Sequence, residues 1–159
     1  MVSASLDMLE DSLIKKLEIL DKITQENEIQ REILTEVNED DQDAFDKTVD
    51  RKAELIDQLE LLDEGFQTLF DNIKAEVTGN KDAYRDQIKR LQDLIRQVSD
   101  KSASIEASEH RNKRLAEQYF SGLRQKMNNS RQSSAVAFNY YRNMNNFKDI
   151  PPQFLDQKN

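Results

Sequence analysis

The chain has 159 residues, of which 36% are hydrophobic and 34% are charged, and its formal net charge is −8. This length fits one domain. With so few apolar residues, the chain is better suited to a narrow apolar seam between helices than to a large globular core. Because the chain has no cysteine, a disulfide framework and thiol chemistry are both excluded.

The N-terminal residues have neither a basic start nor a continuous apolar run, and no apolar stretch approaches the ~20 residues that a bilayer requires. We therefore expect a soluble cytoplasmic protein that does not insert into a membrane.

Charge is unevenly divided. Residues 1–80 carry 8 basic and 22 acidic side chains, whereas residues 81–159 carry 15 basic and 9 acidic ones. We favour internal complementarity between helices that fold back on each other, and binding of a polyanion by the basic half is the alternative. No dense Lys/Arg run of the kind that grips phosphate is present, so we expect no nucleic-acid partner.

Apolar residues at alternating spacings of three and four predict three helices, at about 5–37, 42–77 and 81–127. The second helix has additional leucines at sevenfold spacing, which widen its apolar stripe and make it the expected central helix. These leucines are Leu55, Leu62 and Leu69.

The predicted fold class is all-α. We expect an elongated antiparallel three-helix coiled-coil bundle over residues 1–128, followed by a flexible aromatic-rich tail or short helix over residues 129–159.

The ends of the helices carry capping signals. Asp40 or Asp41 is expected to cap helix 2, and their acidic cluster lacks the glycine and alternating ligands of a calcium loop. Gly79 is placed to end helix 2 in a left-handed conformation, and Asn80 to cap helix 3. Both connections are short, which implies antiparallel neighbours.

Polar residues interrupt the apolar stripes at one level of the predicted bundle. When the chain is folded at its two turns, that level contains Asn27, Gln30, Lys52, Glu106 and Glu109. We expect Lys52 to pair with Glu109 or Glu106, and the layer to set the register of the helices at some cost in stability.

Helix 3, as predicted, is longer than the other two by about a dozen residues, so its end should project by roughly 20 Å. A projecting helix leaves apolar atoms in water unless it bends, the tail folds back or a partner covers it. We therefore expect a partner-binding region here, at Tyr119, Phe120, Leu123 and Met127.

The tail holds five of the eleven aromatic residues of the chain, and it follows a linker that forms helix poorly. A short amphipathic helix ending before Pro151 would place Ala137, Tyr141 and Met144 on one face, or Phe138, Tyr141 and Asn145. The candidate partner-binding residues are Ala137, Phe138, Tyr140, Tyr141, Met144 and Phe147. The alternative is that the segment packs on its own bundle or stays disordered.

Catalysis has little support in the sequence. His110 is the only histidine, and although Glu106 lies four residues before it, a helical di-metal site needs repeated Glu-x-x-His sets. No glycine-rich phosphate loop and no nucleophile–base set is present. We predict a protein that is not an enzyme and that needs no metal or cofactor.

The acidic helical hairpin pattern, with KAELIDQL from Lys52 to Leu59 and a tail ending FLDQK from Phe154 to Lys158, resembles the FlgN-type flagellar export chaperones. The resemblance implies a cytoplasmic type III secretion chaperone that holds the hook-associated proteins FlgK and FlgL before export. In that family the C-terminal region contacts the client.

The resemblance further implies that the overhang and the tail together cover an amphipathic terminal helix of the client. They would thereby mask it against premature assembly and deliver the pair to the export apparatus. The chaperone would be a monomer, with the C-terminal region as the surface through which copies could associate. The main alternative is a structural or tethering coiled coil without chaperone activity.

Overall fold

The computed structural model describes residues 2–36, 42–121 and 138–140. Its three long helices are α1 (Val2–Thr35), α2 (Gln42–Gly79) and α3 (Arg85–Tyr119). The described residues contain no strand, and the helices pack on one another, which confirms the predicted all-α three-helix bundle.

Consecutive helices run antiparallel, so α1 and α3 run parallel to each other. In ion pairs between α1 and α2, a higher residue number in α1 goes with a lower number in α2. In ion pairs between α1 and α3, the residue numbers of both helices increase together. The ion pairs that show this are Lys16 with Asp63 and Glu26 with Arg51, and Glu10 with Arg90 and Glu28 with Arg111.

The central helix is α1, and the prediction that helix 2 would be central was wrong. Close backbone contacts join α1 to α2 and α1 to α3, whereas within the described ranges α2 and α3 approach each other at isolated points at most. The additional leucines of α2, Leu55, Leu62 and Leu69, are only partly buried against the main core. Their stripe therefore does not close a full interface with a second helix.

Buried apolar side chains form two clusters. The main core contains residues of all three helices, including Leu9, Leu20, Ile23, Leu59, Leu91 and Ile105. The second cluster, at the end of the bundle where α1 ends and α2 begins, consists of Leu34, Phe45 and Phe120. A layer of buried polar side chains separates the two clusters, and a few further buried polar side chains, Lys16, Gln92 and Ser102, lie along the main core.

The turn between α2 and α3 differs from the prediction. Gly79 is the last residue of α2, and its φ is not positive, so it does not form a left-handed cap. The side-chain amide of Asn80 donates to the carbonyl oxygen of Glu76 at 2.9 Å. Asn80 therefore satisfies the C-terminal end of α2 and does not cap α3, which begins after Tyr84 without a side-chain cap. Asp40 and Asp41 lie outside the described residues.

Candidate partner-binding site

The predicted overhang of helix 3 is not present. α3 begins at Arg85 and ends at Tyr119, so its 35 residues match the 34 of α1. Phe120 lies in the turn that follows, and its side chain is 1% exposed. A helix of this length ends level with its neighbours, so its last residues have bundle side chains to pack against.

Tyr119 and Phe120 close the end of the bundle. The ring of Phe120 meets Phe45 edge-on, with centroids 5.3 Å apart, and Tyr119 lies against Phe120 at 4.8 Å. The expectation that Phe120 would be uncovered was therefore wrong, since its own chain encloses it. Leu123 and Met127 lie outside the described residues.

The described part of the tail, residues 138–140, is helical and lies on the bundle. The ring of Phe138 meets the imidazole of His110 edge-on, with centroids 4.1 Å apart and an interplanar angle of 79°. The Lys113 ammonium lies 5.9 Å from the centroid of the same ring, within cation–π range. Both His110 and Lys113 belong to α3, so Phe138 anchors the segment to that helix. Ala137, Tyr141, Met144 and Phe147 lie outside the described residues.

Tyr140 anchors the same segment to α2. Its hydroxyl donates to Asp63 Oδ2 at 3.0 Å, and its ring packs partly buried against the main core. Burial raises the pKa of Tyr140 well above its usual range, and the nearby Asp63 and Glu60 carboxylates raise it further. The hydroxyl therefore stays protonated and remains a hydrogen-bond donor.

Asp63 connects this tail contact to the interior of the bundle. Its Oδ1 accepts from the Lys16 ammonium at 2.5 Å, while its Oδ2 accepts from Tyr140. The side chain of Lys16 is 2% exposed, and burial lowers its pKa to about 8, against the opposing effect of Asp63. One carboxylate thus joins α1, α2 and the C-terminal segment.

We call the surface between α2 and α3 the α2–α3 groove, defined by Asp63 of α2, with Glu60 one turn before it, and by His110 and Lys113 of α3. The pairing of Lys52 with Glu109 places Asp63 about 15 Å from His110 along the bundle, so the two walls are contacted at different levels. It lies on the side of the bundle where the two backbones have little close contact. Residues 138–140 occupy this groove, with one aromatic side chain directed to each wall.

The predicted polar layer contains a buried ion pair. The Lys52 ammonium contacts the Glu109 carboxylate, one of the two partners expected from the sequence, and it donates to Gln30 Oε1 at 3.2 Å. Glu106 is half-buried on the same helix. Burial lowers the pKa of Lys52, against the opposing effect of Glu109.

The layer also includes Ser108 and Asn112, which were not predicted as members of it. Asn112 donates to the Asn27 carbonyl oxygen at 2.8 Å and to Gln30 Oε1 at 3.1 Å, and the Asn27 amide donates to Ser108 Oγ at 2.7 Å. Asn112 follows Glu109 at the next position of the heptad pattern, a signal that the sequence contained. Whether the layer sets the register remains a prediction.

Several cationic side chains of α3 contact carboxylates of α1. Arg90 contacts Glu10 at 3.0 Å and Arg111 contacts Glu28 at 3.2 Å. Lys101 pairs with Asp21. These contacts agree with the interpretation that the charges of α1 and α3 are complementary.

The described ranges contain no cluster of His, Asp or Glu suited to a metal ion. None of their helices has a stretch that is both long and apolar enough to cross a bilayer. Comparison of the chain with models of protein families, with curated proteins and with solved structures finds no match in any of the three.

Proposed function

We propose that this protein is a cytoplasmic flagellar export chaperone that binds the amphipathic terminal helix of a hook-associated protein of the FlgK or FlgL kind. The observation that carries the proposal is that the α2–α3 groove takes up aromatic side chains from a short helical segment. A surface that accepts such a segment from its own chain has the contacts needed to accept one from another protein.

The chemistry would be masking without covalent change. A terminal helix that serves in filament assembly has an apolar face, and burying that face against the chaperone removes it from self-association. The free energy of binding comes from desolvation of the apolar side chains, reduced by the cost of ordering the helix. Such a step needs neither a nucleotide nor a metal.

The flagellar identity of the client comes from the resemblance of the sequence to FlgN-type chaperones. The acidic three-helix bundle and its aromatic C-terminal region support that resemblance as a pattern. The groove supports the more general part of the proposal, which is recognition of a helical segment.

The test is direct binding of the full chain to purified FlgK-like and FlgL-like proteins, measured by isothermal titration calorimetry. We expect one of them to bind with 1:1 stoichiometry, and we expect removal of its terminal helices to abolish the binding. The matched control is the same client with only a loop outside these helices altered. Equal heats with and without the terminal helices, or no binding to either client, would contradict the proposal.

A further inference from the structure

The α2–α3 groove is already occupied in the free chain, and its occupant is held at both walls. Phe138 lies on His110 and Lys113 of α3, and Tyr140 is hydrogen-bonded to Asp63 of α2. The segment therefore bridges the two helices that have the least backbone contact with each other. A segment in that position competes with any other helix for His110, Lys113 and Asp63.

The contact on α3 is weak enough to be exchanged. His110 and Lys113 both remain exposed with Phe138 in place, so the ring covers them only at the rim. An exposed cation–π contact contributes about 0.5–1 kcal/mol, and an aromatic pair contributes a similar amount. The ring itself is half-buried, so part of it is already in contact with solvent.

The contact on α2 determines what kind of occupant fits. Asp63 is 28% exposed and uses Oδ1 for Lys16, which leaves Oδ2 as the acceptor that faces the segment. Tyr140 supplies a ring for the edge of the main core and a donor for that oxygen. An aliphatic side chain at this position would desolvate Oδ2 of Asp63 without giving that oxygen a hydrogen-bond donor, which is unfavourable.

We propose that the α2–α3 groove is a recognition surface for a partner's helical segment with the chemistry of residues 138–140, and that the chain's own segment covers it until such a partner displaces it. The partner segment carries one aromatic side chain for the wall formed by His110 and Lys113. It carries a second ring or aliphatic stem that ends in a hydrogen-bond donor for Asp63. This inference rests on the proposed function only in taking the partner to be the client helix.

Covalent attachment explains how so short a segment can hold the groove. Because the segment belongs to the same chain, its effective concentration at the groove can reach about the millimolar range. A partner must therefore bind more tightly than the tethered segment, and only one that makes additional contacts along the groove does so. The segment thus excludes weak, non-specific helices and admits the intended one.

The first experiment tests the position of the segment in the full chain. The chain has no native cysteine, so spin labels can be placed at Asn139→Cys, an exposed position, and at Glu76→Cys on α2. Asp63 lies 13 residues before Glu76, about 20 Å along the helix, which is a distance that pulsed EPR measures well. We expect a narrow distance distribution that broadens on Phe138→Ala/Tyr140→Ala. A broad distribution in the unmodified segment would overturn the proposal.

The second experiment tests exchange with an added segment. The probe is a labelled synthetic peptide of residues 133–146 of this chain, titrated into the full chain and followed by fluorescence anisotropy. We expect Phe138→Ala/Tyr140→Ala to bind the peptide at least about tenfold more tightly than the unsubstituted chain, because its groove is uncovered. His110→Ala in that background should weaken binding, and Asn139→Ala is the matched control that leaves both anchors in place.

Equal affinity of the covered and uncovered chains, or no binding by either, would overturn the proposal. A concentration-dependent dimer with intermolecular spin–spin distances would also overturn it, because the occupant would then come from a second copy. Circular dichroism checks that the variants keep their helices. Neither experiment contains a hook-associated protein, so a failure here is distinct from a failure of the calorimetric test of the proposed function.

Discussion

Asp63 occupies a position in the seam of α2, and it has a charged partner on α1 and a hydroxyl partner in the C-terminal segment. Because the same carboxylate accepts from Lys16 and from Tyr140, a change in its position affects both the bundle interior and the occupant of the α2–α3 groove. The Lys16 ammonium is buried against the same carboxylate, and moving away from Asp63 would remove an attraction that offsets part of its desolvation.

The lowered pKa of Lys16 predicts how the free energy of unfolding changes with pH. Its pKa is about 8 in the folded chain and near 10.5 when unfolded, so between these values the unfolded state holds more protons. Stability therefore rises with pH across that window. We expect Lys16 to contribute an increase of about 2 kcal/mol in the free energy of unfolding from pH 7 to about pH 9.5, measured by urea denaturation.

The control for this prediction is Lys16→Met, in which the increase should become smaller. The lowered pKa of Lys52 acts with the same sign, so part of the slope should remain. Tyr140 acts with the opposite sign above pH 10, because its raised pKa keeps the proton in the folded state while the unfolded state loses it. A flat or falling stability of the unsubstituted chain between pH 8 and about pH 9.5 would contradict the assignment.

The buried ion pair of the polar layer predicts a strong non-additivity. Lys52→Met leaves the Glu109 carboxylate buried without its cation, and we expect a loss of about 3–5 kcal/mol in urea unfolding. Lys52→Met/Glu109→Leu should recover most of that loss, because no unpaired charge remains. A single variant within about 0.5 kcal/mol of the unsubstituted chain would show that the pair is solvated.

The register role of the layer is tested in the same double variant. Glu10→Cys/Arg90→Cys joins two side chains that contact each other in the native register of α1 and α3. We expect the pair to cross-link with a short reagent in the chain with the polar layer and less completely in Lys52→Met/Glu109→Leu. Equal cross-linking in both would remove the register role.

At the scale of the helices, the bundle divides into a well-packed part and a weakly packed end. The main core has buried apolar side chains from all three helices over most of their length, whereas the second cluster has only Leu34, Phe45 and Phe120. The polar layer between them contributes less favourable transfer free energy per residue than an apolar layer. The two parts are therefore expected to open with different free energies.

Hydrogen–deuterium exchange should resolve these two parts. We expect the amides of residues 27–34, 45–52 and 109–119 to exchange faster than those of residues 9–23, 56–73 and 91–105, because opening the end exposes little apolar surface. Phe120→Ala should raise exchange at the end alone. Uniform exchange along all three helices would contradict the division.

The parallel seam of α1 and α3 uses part of the charge asymmetry of the chain. Arg90 and Arg111 lie opposite Glu10 and Glu28, and Lys101 lies opposite Asp21. Each exposed pair contributes about 0–1 kcal/mol to stability. The pairs therefore matter more for which helices pack together than for the free energy of unfolding. The pairs favour the arrangement in which α3 packs beside α1 with its charges aligned.

For the whole molecule, we expect a monomer, because α1 finds both of its partner helices within the same chain. Light scattering after size-exclusion chromatography should give 18.6 kDa over a wide range of protein concentration. A stable mass of twice that value would favour the tethering coiled coil, in which helices pair between chains.

Several features were predictable because they depend on residues close together in the sequence. Heptad spacing indicated three helices, and reflecting the chain at its turns brought Lys52 level with Glu109. Gly79 shows the limit of such local rules, because a turn through Asn80 and Lys81 ends α2 without a left-handed residue. Local rules also do not predict where α3 ends, because Phe120 packs on Phe45, which is distant in the chain.

The amino-acid sequence by itself determined the helical class and the polar layer, because periodicity and short connections leave few other ways to bury the apolar stripes. Only the tertiary structure decided that α1 is central and that Phe138 and Tyr140 face the α2–α3 groove. Those outcomes depend on which pair of stripes packs most closely and on a single carboxylate, Asp63, whose neighbours come from distant parts of the chain. Contacts of that kind have no local signature, so they follow from packing in three dimensions.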